Sequence, residues 1–252
     1  MKKILYIIGV LLALASCTEE DAAVQPQEVI TRTFSVAISE PDYAPQTRLS
    51  VTMNRYLLEM YEGNLSATPD KYESTYGTFS VAMKKGVDYI CLFWADDGAE
   101  DYDATNLQAV KQATATKPGK EAFYTCVTLN SNNLPSKQIV LRHAVAELSF
   151  INTKELTGAD NTLKITYPYA SAVMNLGTGT VDYRTGSPVV HTLTGIEPPA
   201  SSDARFAYDF ILAPAKAGKL TGLKLQLNSG EEKTIPEAAV QANYQTRITG
   251  EY

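Results

Sequence analysis

The chain has 252 residues, of which 44% are hydrophobic and 20% charged, so its composition excludes a wholly disordered or collagen-like polymer. Acidic side chains outnumber basic ones by 28 to 22, and the formal net charge of −6 argues against a nucleic-acid partner. A chain of this length holds either one large β domain or two small domains.

The N-terminus has the order of residues found in bacterial export signals. Two lysines precede an apolar run over residues 4–15, which ends in Leu14-Ala15-Ser16-Cys17. These last four residues resemble the lipobox of bacterial lipoproteins, in which the cysteine is acylated and the signal is removed on its N-terminal side. We therefore predict a lipoprotein signal peptide over residues 1–16 and lipidation of Cys17. An ordinary signal peptide with a chance cysteine is the alternative.

Removal of the signal leaves 236 residues with 20 basic and 28 acidic side chains, a balance of −8. Each buried acyl methylene adds about 0.8 kcal/mol of membrane affinity, so several acyl chains on Cys17 hold a protein on a bilayer. No second apolar run in the sequence is long enough for a membrane span. The expected mature protein is a soluble body attached to outer-membrane lipid through acylated Cys17.

The residues that follow Cys17 have neither helical nor strand periodicity, and we predict a flexible acidic tether over residues 17–28. Glu19, Glu20 and Asp21 come directly behind the cysteine. Acidic residues at this place resemble the surface-export signal of some Gram-negative lipoproteins. They favour display on the cell surface over a periplasm-facing anchor.

From residue 29 onward the apolar residues alternate or cluster as they do in β-strands. In the first predicted strand, Phe34, Val36 and Ile38 share one face. Residues 88–94 are apolar on both faces, which predicts a strand in the middle of a sheet. The strands predicted for the first half of the chain cover residues 33–38, 56–61, 77–83, 88–94, 122–129 and 138–141.

An acidic segment over residues 95–118 interrupts this series, and a short helical turn is expected over residues 106–110. Carboxylates are the ligands that Ca²⁺ prefers, so this segment is a candidate calcium site, although its spacing matches no EF-hand. A solvated acidic loop is the favoured interpretation. The candidate ligands are Asp96, Asp97, Asp101 and Asp103.

A second series of strand patterns follows without a glycine- or serine-rich linker. The series covers residues 144–151, 162–167, 172–176, 179–183, 204–212, 222–227 and 244–249. Short strands at this spacing, with almost no helical periodicity, are typical of antiparallel sandwiches and barrels. We predict two tandem β-sandwiches, over residues 29–136 (the N-terminal half) and 137–252 (the C-terminal half).

Catalytic and metal-binding motifs are absent from the sequence. His143 and His191 have no ligand residue at metal-binding spacing, and no phosphate-binding loop or nucleophile elbow occurs. The sequence therefore predicts no enzyme activity, no metal centre and no cofactor. Cys91 and Cys126 both lie in strand patterns, so two buried free thiols are favoured over a disulfide.

Several segments together are similar to the fimbrillin-like lipoproteins, the superfamily that contains the type V pilus subunits, and above all to a subgroup carrying a domain of unassigned function. The segments that carry the resemblance are residues 56–62, 89–98, 102–107, 141–148 and 243–250. The resemblance implies two transthyretin-like β-sandwich domains and a role in pili or surface adhesion. It also implies polymerisation by β-strand exchange, in which cleavage after an arginine releases an N-terminal strand and a neighbour's strand fills the groove.

Arg32 and Arg48 flank the first predicted strand and are candidate processing sites, with chance placement as the favoured alternative. Arg48 is favoured over Arg32, because only cleavage after Arg48 would remove Phe34, Val36 and Ile38 together. The chain ends at Tyr252, directly behind its last predicted strand, which favours an anchor-like or accessory role over a shaft subunit.

Two other functions stay open at this point. Fifteen tyrosines could form stacking platforms in a glycan-binding lipoprotein of a nutrient-uptake system, with a host or bacterial surface glycan as partner. A hydrolase that uses Asp96 and its acidic neighbours is the weakest alternative.

Overall fold

The computed structural model describes residues 27–40, 52–98, 101–112, 119–134, 138–158, 160–199, 201 and 204–252. Every regular element in these ranges is a β-strand, which confirms the predicted all-β class. Within the same ranges, no helix has the length and apolar character needed to cross a membrane.

Nine strands belong to the first part of the chain, and most of them are joined by short turns. They are β1 (Val29–Ile38), β2 (Arg55–Glu62), β3 (Asp70–Ser74), β4 (Thr78–Lys84), β5 (Asp88–Asp96), β6 (Tyr102–Asp103), β7 (Val110–Gln112), β8 (Phe123–Asn130) and β9 (Ile139–His143).

Nine more strands complete the chain. They are β10 (Val145–Asn152), β11 (Asn161–Tyr167), β12 (Ser171–Asn175), β13 (Thr180–Arg184), β14 (Val189–Ile196), β15 (Ala207–Leu212), β16 (Gly218–Leu227), β17 (Lys233–Val240) and β18 (Gln245–Gly250).

The first large sheet has seven strands in the order β3-β2-β5-β8-β9-β1-β4. Its central strand β5 is paired along its length with β2 on one side and β8 on the other, as the two-sided apolar pattern predicts. Phe34 of β1 and Phe79 of β4 each pack against Phe93 of β5 with ring centroids 5.8 Å apart. Since these strands are not neighbours of β5 in the sheet, the contacts show that the sheet folds over on itself. These rings lie in an N-terminal core that β1 helps to close.

Two further sheets, β15-β10-β18 and β14-β11-β16-β17, form the layers of the C-terminal half. Strand β10 is buried along its whole length, with Leu148 and Phe150 on one face and the buried polar residues Glu147 and Ser149 on the other. In the second half of β16, leucines that face the core alternate with polar residues that face outward. Leu148 of β10 and Leu225 of β16 belong to one apolar cluster, so the two layers share a core.

The fourth sheet has the order β13-β12-β7-β6 and contains strands from both sides of residue 136. Val110 of β7 pairs with Met174 of β12. The helical turn expected over residues 106–110 is therefore wrong, because this segment turns and then adds β7 to a neighbouring sheet. The larger apolar cluster likewise combines residues such as Trp94 with residues such as Phe150. The two tandem transthyretin-like sandwiches stay a prediction.

Candidate functional site: the first strand and its groove

Strand β1 turns one face toward the core, and the opposite face is exposed over the first half of the strand, as its alternating sequence predicts. Val36 is 8% exposed and belongs to the N-terminal core, and Phe34 and Ile38 pack against the same core. Thr31 and Thr33 point the opposite way and are exposed. The inward face thus supplies a row of apolar side chains at every second residue.

The neighbours of β1 run in opposite directions. Its first seven residues pair antiparallel with β4, from Val29 opposite Lys84 to Ser35 opposite Thr78. Its last three residues pair in parallel with β9, from Val36 opposite Ile139 to Ile38 opposite Leu141. Strand β1 is therefore inserted between two strands that are distant in sequence, and it is held by one long antiparallel ladder and one short parallel ladder.

Glycine allows the close approach of the turn before β4 to this strand. The Val36 amide donates a hydrogen bond to the Gly77 carbonyl at 2.9 Å. Gly77 has φ of +66°, and a Cβ atom there would lie 2.9 Å from a methyl group of Val36. A side chain at this position would strain the turn and press on the strand that it contacts.

The chemistry available at this site is β-strand recognition. An extended segment in the place of β1 is held by main-chain hydrogen bonds to β4 and β9, and its alternate side chains enter an apolar groove. Residues 77–83 and 138–141 are recognisable as strands in the sequence. The sequence does not show that these two strands flank β1, because pairing between segments so far apart carries no local pattern.

The structure places Arg32 inside β1, where Arg32 pairs with Val81, so the expectation that Arg32 precedes the first strand is wrong. Its guanidinium donates to the Ser131 carbonyl at 3.4 Å. Arg48 and Cys17 lie outside the described residues, and processing and lipidation stay predictions.

The acidic segment is ion-paired, so the expectation of a solvated loop is wrong for its first residue. Asp96 is 1% exposed and accepts hydrogen bonds from Arg55 Nε and Trp94 Nε1, each at 2.8 Å. The Gly98 amide donates to the same carboxylate at 2.9 Å. The hydrogen bond to Asp96 raises the pKa of Arg55, and the pair ties β2 to β5.

The other candidate calcium ligands also have partners. Lys120 Nζ lies 2.7 Å from Asp97 and 3.3 Å from Asp101, and the bond to Asp97 raises the pKa of Lys120. Asp103 accepts a hydrogen bond from the Thr105 hydroxyl at 2.7 Å, which lowers the pKa of the carboxyl. Among the described residues, no group of three or more histidine, cysteine, aspartate or glutamate side chains is placed to hold a metal ion.

The two strand cysteines are free in the structure, but only one is buried as expected. Burial, with a smaller contribution from Cys126, raises the pKa of Cys91 to about 12. Cys126 is exposed, and its partial burial also raises its pKa. The expectation of two buried thiols is wrong because Cys126 lies on β8 opposite Leu92, on the face that points away from the N-terminal core.

Alkylation should therefore distinguish the two thiols. We expect iodoacetamide to modify Cys126 in the folded protein, and faster as the pH rises, because the thiolate is the nucleophile. Cys91 should react only after unfolding. Peptide mass spectrometry of the alkylated chain measures both, and equal protection of the two cysteines would contradict the placement of Cys126.

No protein-family profile matches the sequence, and no curated protein sequence is significantly similar to it. Solved structures are similar in fold. A "putative adhesin" from Bacteroides ovatus is 10% identical with a TM-score of 0.52, over 83% of this chain and 77% of that one. A fimbrial assembly protein from Parabacteroides distasonis is 14% identical with a TM-score of 0.46, over 89% of this chain and 93% of that one.

Proposed function

We propose that this chain is a non-enzymatic, lipid-anchored, fimbrillin-like surface protein that acts in the assembly or anchoring of a pilus or in cell adhesion. The partner of the anchored form is outer-membrane lipid, through acylated Cys17, whereas a chain processed after Arg48 would bind other fimbrial subunits through β-strand exchange. The observation that carries the proposal is the insertion of β1 between β4 and β9.

The position of β1 favours exchange for a physical reason. The strand belongs to the N-terminal end of the described chain, so it can leave without threading the rest of the protein through a loop. Its removal would uncover the apolar groove that Phe79 and Leu141 help to form, together with unpaired backbone groups of two strands. An open groove of this kind is satisfied by a strand from a second molecule.

Support from the comparisons is limited to the fold. The fold likeness to the Bacteroides ovatus protein is consistent with a surface role, and it agrees with the resemblance carried by the sequence segments. The lipobox-like sequence before Cys17 supplies the reason for placing the protein at the outer membrane.

Anchoring and strand release exclude each other within one molecule. Cleavage after Arg48 would remove Cys17 and β1 together, so a processed chain has an open groove and no lipid. An unprocessed chain keeps its lipid and a filled groove. We favour the retained, lipid-anchored form, in which the protein is an anchor or an accessory subunit rather than a shaft subunit.

Mass spectrometry of the mature N-terminus from native cells separates these forms. For an anchored protein we expect an acylated Cys17, and Cys17→Ser should abolish the acyl mass and release the protein from the membrane. An N-terminus at Leu49 that disappears in Arg48→Gln, but persists in the control Arg32→Gln, would identify a processed subunit instead. A first residue at neither position, without an acyl group, would contradict the proposal.

A further inference from the structure

A cleft of about 650 Å³ lies on the opposite side of β8 and β9 from the N-terminal core. Its floor comes from Tyr124 and Arg142 on those two strands. The loop that joins β12 to β13 forms one wall, and the turn that leads into β18 forms the other. Both halves of the chain therefore contribute to the cleft, whose volume lies within the range of about 300–1,000 Å³ usual for small-ligand sites.

The cleft contains two of the five large apolar side chains that are exposed in the described chain. Tyr244 and Val140 line it and are 46% and 50% exposed, whereas most large apolar side chains of the described chain are buried. Tyr124 is half-buried beside them, and burial raises its pKa, so its phenol stays protonated and can donate a hydrogen bond. The cleft thus offers open apolar and aromatic surface next to a polar donor.

Among the residues that line the cleft, Arg142 is the one lysine or arginine, and the carboxylate beside them is Glu121, 3.2 Å from His143 Nε2. Arg142 is exposed, and no carboxylate in the described ranges pairs with it. None of the residues that line the cleft is aspartate or glutamate, although the chain has 28 acidic side chains and a net charge of −6. An arginine without a carboxylate presents its full set of donors to a ligand.

The walls of the cleft are held in place by buried contacts. His143 Nδ1 lies 2.9 Å from Asn243 Oδ1, which connects β9 to the turn that carries Tyr244. Asn243 adopts φ of +68°, a backbone conformation that asparagine tolerates better than most residues. The His143 ring also packs on Phe123 with centroids 4.3 Å apart. Such a site is formed before a ligand arrives, which lowers the entropy cost of binding.

We propose that this cleft binds an acidic saccharide, one that carries a carboxylate or sulfate group on a pyranose ring. Arg142 pairs with the anionic group by charge-assisted hydrogen bonds. Tyr244 packs against the C–H face of the ring, and polar side chains such as Thr125, Thr178 and Gln241 face its hydroxyl groups. This site lies on the side of β8 and β9 opposite to the N-terminal core, and it does not depend on strand exchange.

An acidic peptide segment is the other ligand that a lone arginine could attract. The mixture of one cation, open aromatic surface and hydroxyl-bearing side chains in one open cleft favours a saccharide, because sugar rings use all three kinds of contact at once. The two ligand classes are compared directly in the test.

Isothermal titration calorimetry on the full chain would measure binding of trigalacturonate, a chondroitin sulfate tetrasaccharide, neutral galactotriose and an acidic hexapeptide. We expect at least one acidic saccharide to bind, and to bind more weakly as the salt concentration rises, because the pairing with Arg142 is screened. Galactotriose should bind at least about ten-fold more weakly than the acidic saccharide, because it lacks the anionic group.

Arg142→Gln should weaken binding of the acidic saccharide about ten-fold or more, and Tyr244→Ala about two- to ten-fold. The matched controls are Arg184→Gln and Tyr76→Ala, two exposed residues outside the cleft, which should bind as the unchanged chain does. Unchanged thermal midpoints in all four variants would show that folding is not the cause.

Three results would overturn the proposal. The first is the failure of both acidic saccharides to bind. The second is equal affinity in Arg142→Gln and Arg184→Gln. The third is tighter binding of the acidic peptide than of either saccharide, which would assign the cleft to a protein segment instead.

Discussion

Replacing Asp209 by alanine is expected to lower the free energy of unfolding by about 3–5 kcal/mol, the range for breaking a buried charged network. The Asp209 carboxylate is fully buried and accepts hydrogen bonds from Tyr167 Oη at 2.7 Å and His191 Nδ1 at 2.6 Å. The backbone amides of Gly119 and Phe210 donate at 2.7 Å and 2.8 Å. Truncation removes the acceptor of all four donors, three of which are buried.

Urea denaturation followed by Trp94 fluorescence and by circular dichroism measures this loss. Trp94 lies on β5, while Asp209 lies on β15, yet both belong to buried regions that the larger apolar cluster connects. We therefore expect the Trp94 transition to move together with the circular dichroism transition. The matched control is Asp182→Ala, whose side chain is 70% exposed and whose loss should change stability little.

An Asp209→Ala protein that unfolds at the midpoint of the control would show that this network does not stabilise the fold. A shift seen by circular dichroism alone would instead show that the two halves unfold separately, as the prediction of two tandem domains requires. Gly119→Ala tests the contact between residue 119 and strand β15 by a second route. We expect it to lower the free energy of unfolding, because a Cβ atom at residue 119 would lie 1.9 Å from the Phe210 carbonyl oxygen.

Replacing Val36 by aspartate is expected to cost about 3 kcal/mol or more, because an ionised carboxylate would be forced into an apolar groove. Val36 is 8% exposed and packs into the same core as Phe79, Phe93 and Leu141. Thr33→Asp is the control, since Thr33 lies in the same strand but is exposed on its opposite face. Thermal and urea denaturation of the full chain should show a large loss for the first variant only.

The same pair of substitutions tests whether the groove accepts a strand from outside. A labelled peptide of residues 29–38 should bind, by fluorescence anisotropy, to protein that has been cleaved after Arg48. It should not bind to the intact chain, whose groove is filled. The peptide with Val36→Asp should fail to bind, while the peptide with Thr33→Asp should bind. Equal binding of the two peptides would show that the apolar face of β1 is not what the groove recognises.

The sequence predicts strands best where they are central and least well where they lie at an edge. Strand β5 is apolar on both faces, and that pattern predicts an interior strand, which the structure places between β2 and β8. The strands that escape prediction are β3, β6, β7, β14 and β17, and all but β7 lie at the end of a sheet, although β4, β13, β15 and β18 lie at an end and are predicted. An edge strand has one neighbour and more contact with water, so its residues are polar and its periodicity is weak.

In the candidate sites, too, the sequence shows the local patterns but not the contacts between distant segments. The alternation of Phe34, Val36 and Ile38 identifies the inward face of β1, whereas its partners β4 and β9 become known only from the pairing register. Asp96 is recognisable as part of an acidic segment, but its arginine partner is 41 residues away along the chain. Arg142 and Tyr244 share no local motif, and only folding places them in one cleft.

By itself, the sequence determined the all-β class, the inward faces of β1 and β16, and the lipobox-like segment that ends in Cys17. These properties depend on the spacing of apolar residues and on short contiguous motifs. The tertiary structure alone decided which strands β1 joins, how residues 102–112 contribute to a sheet with residues 171–184, and that Arg142 and Tyr244 line one cleft. Contacts between distant segments depend on the packing of whole layers, for which a local pattern holds no information.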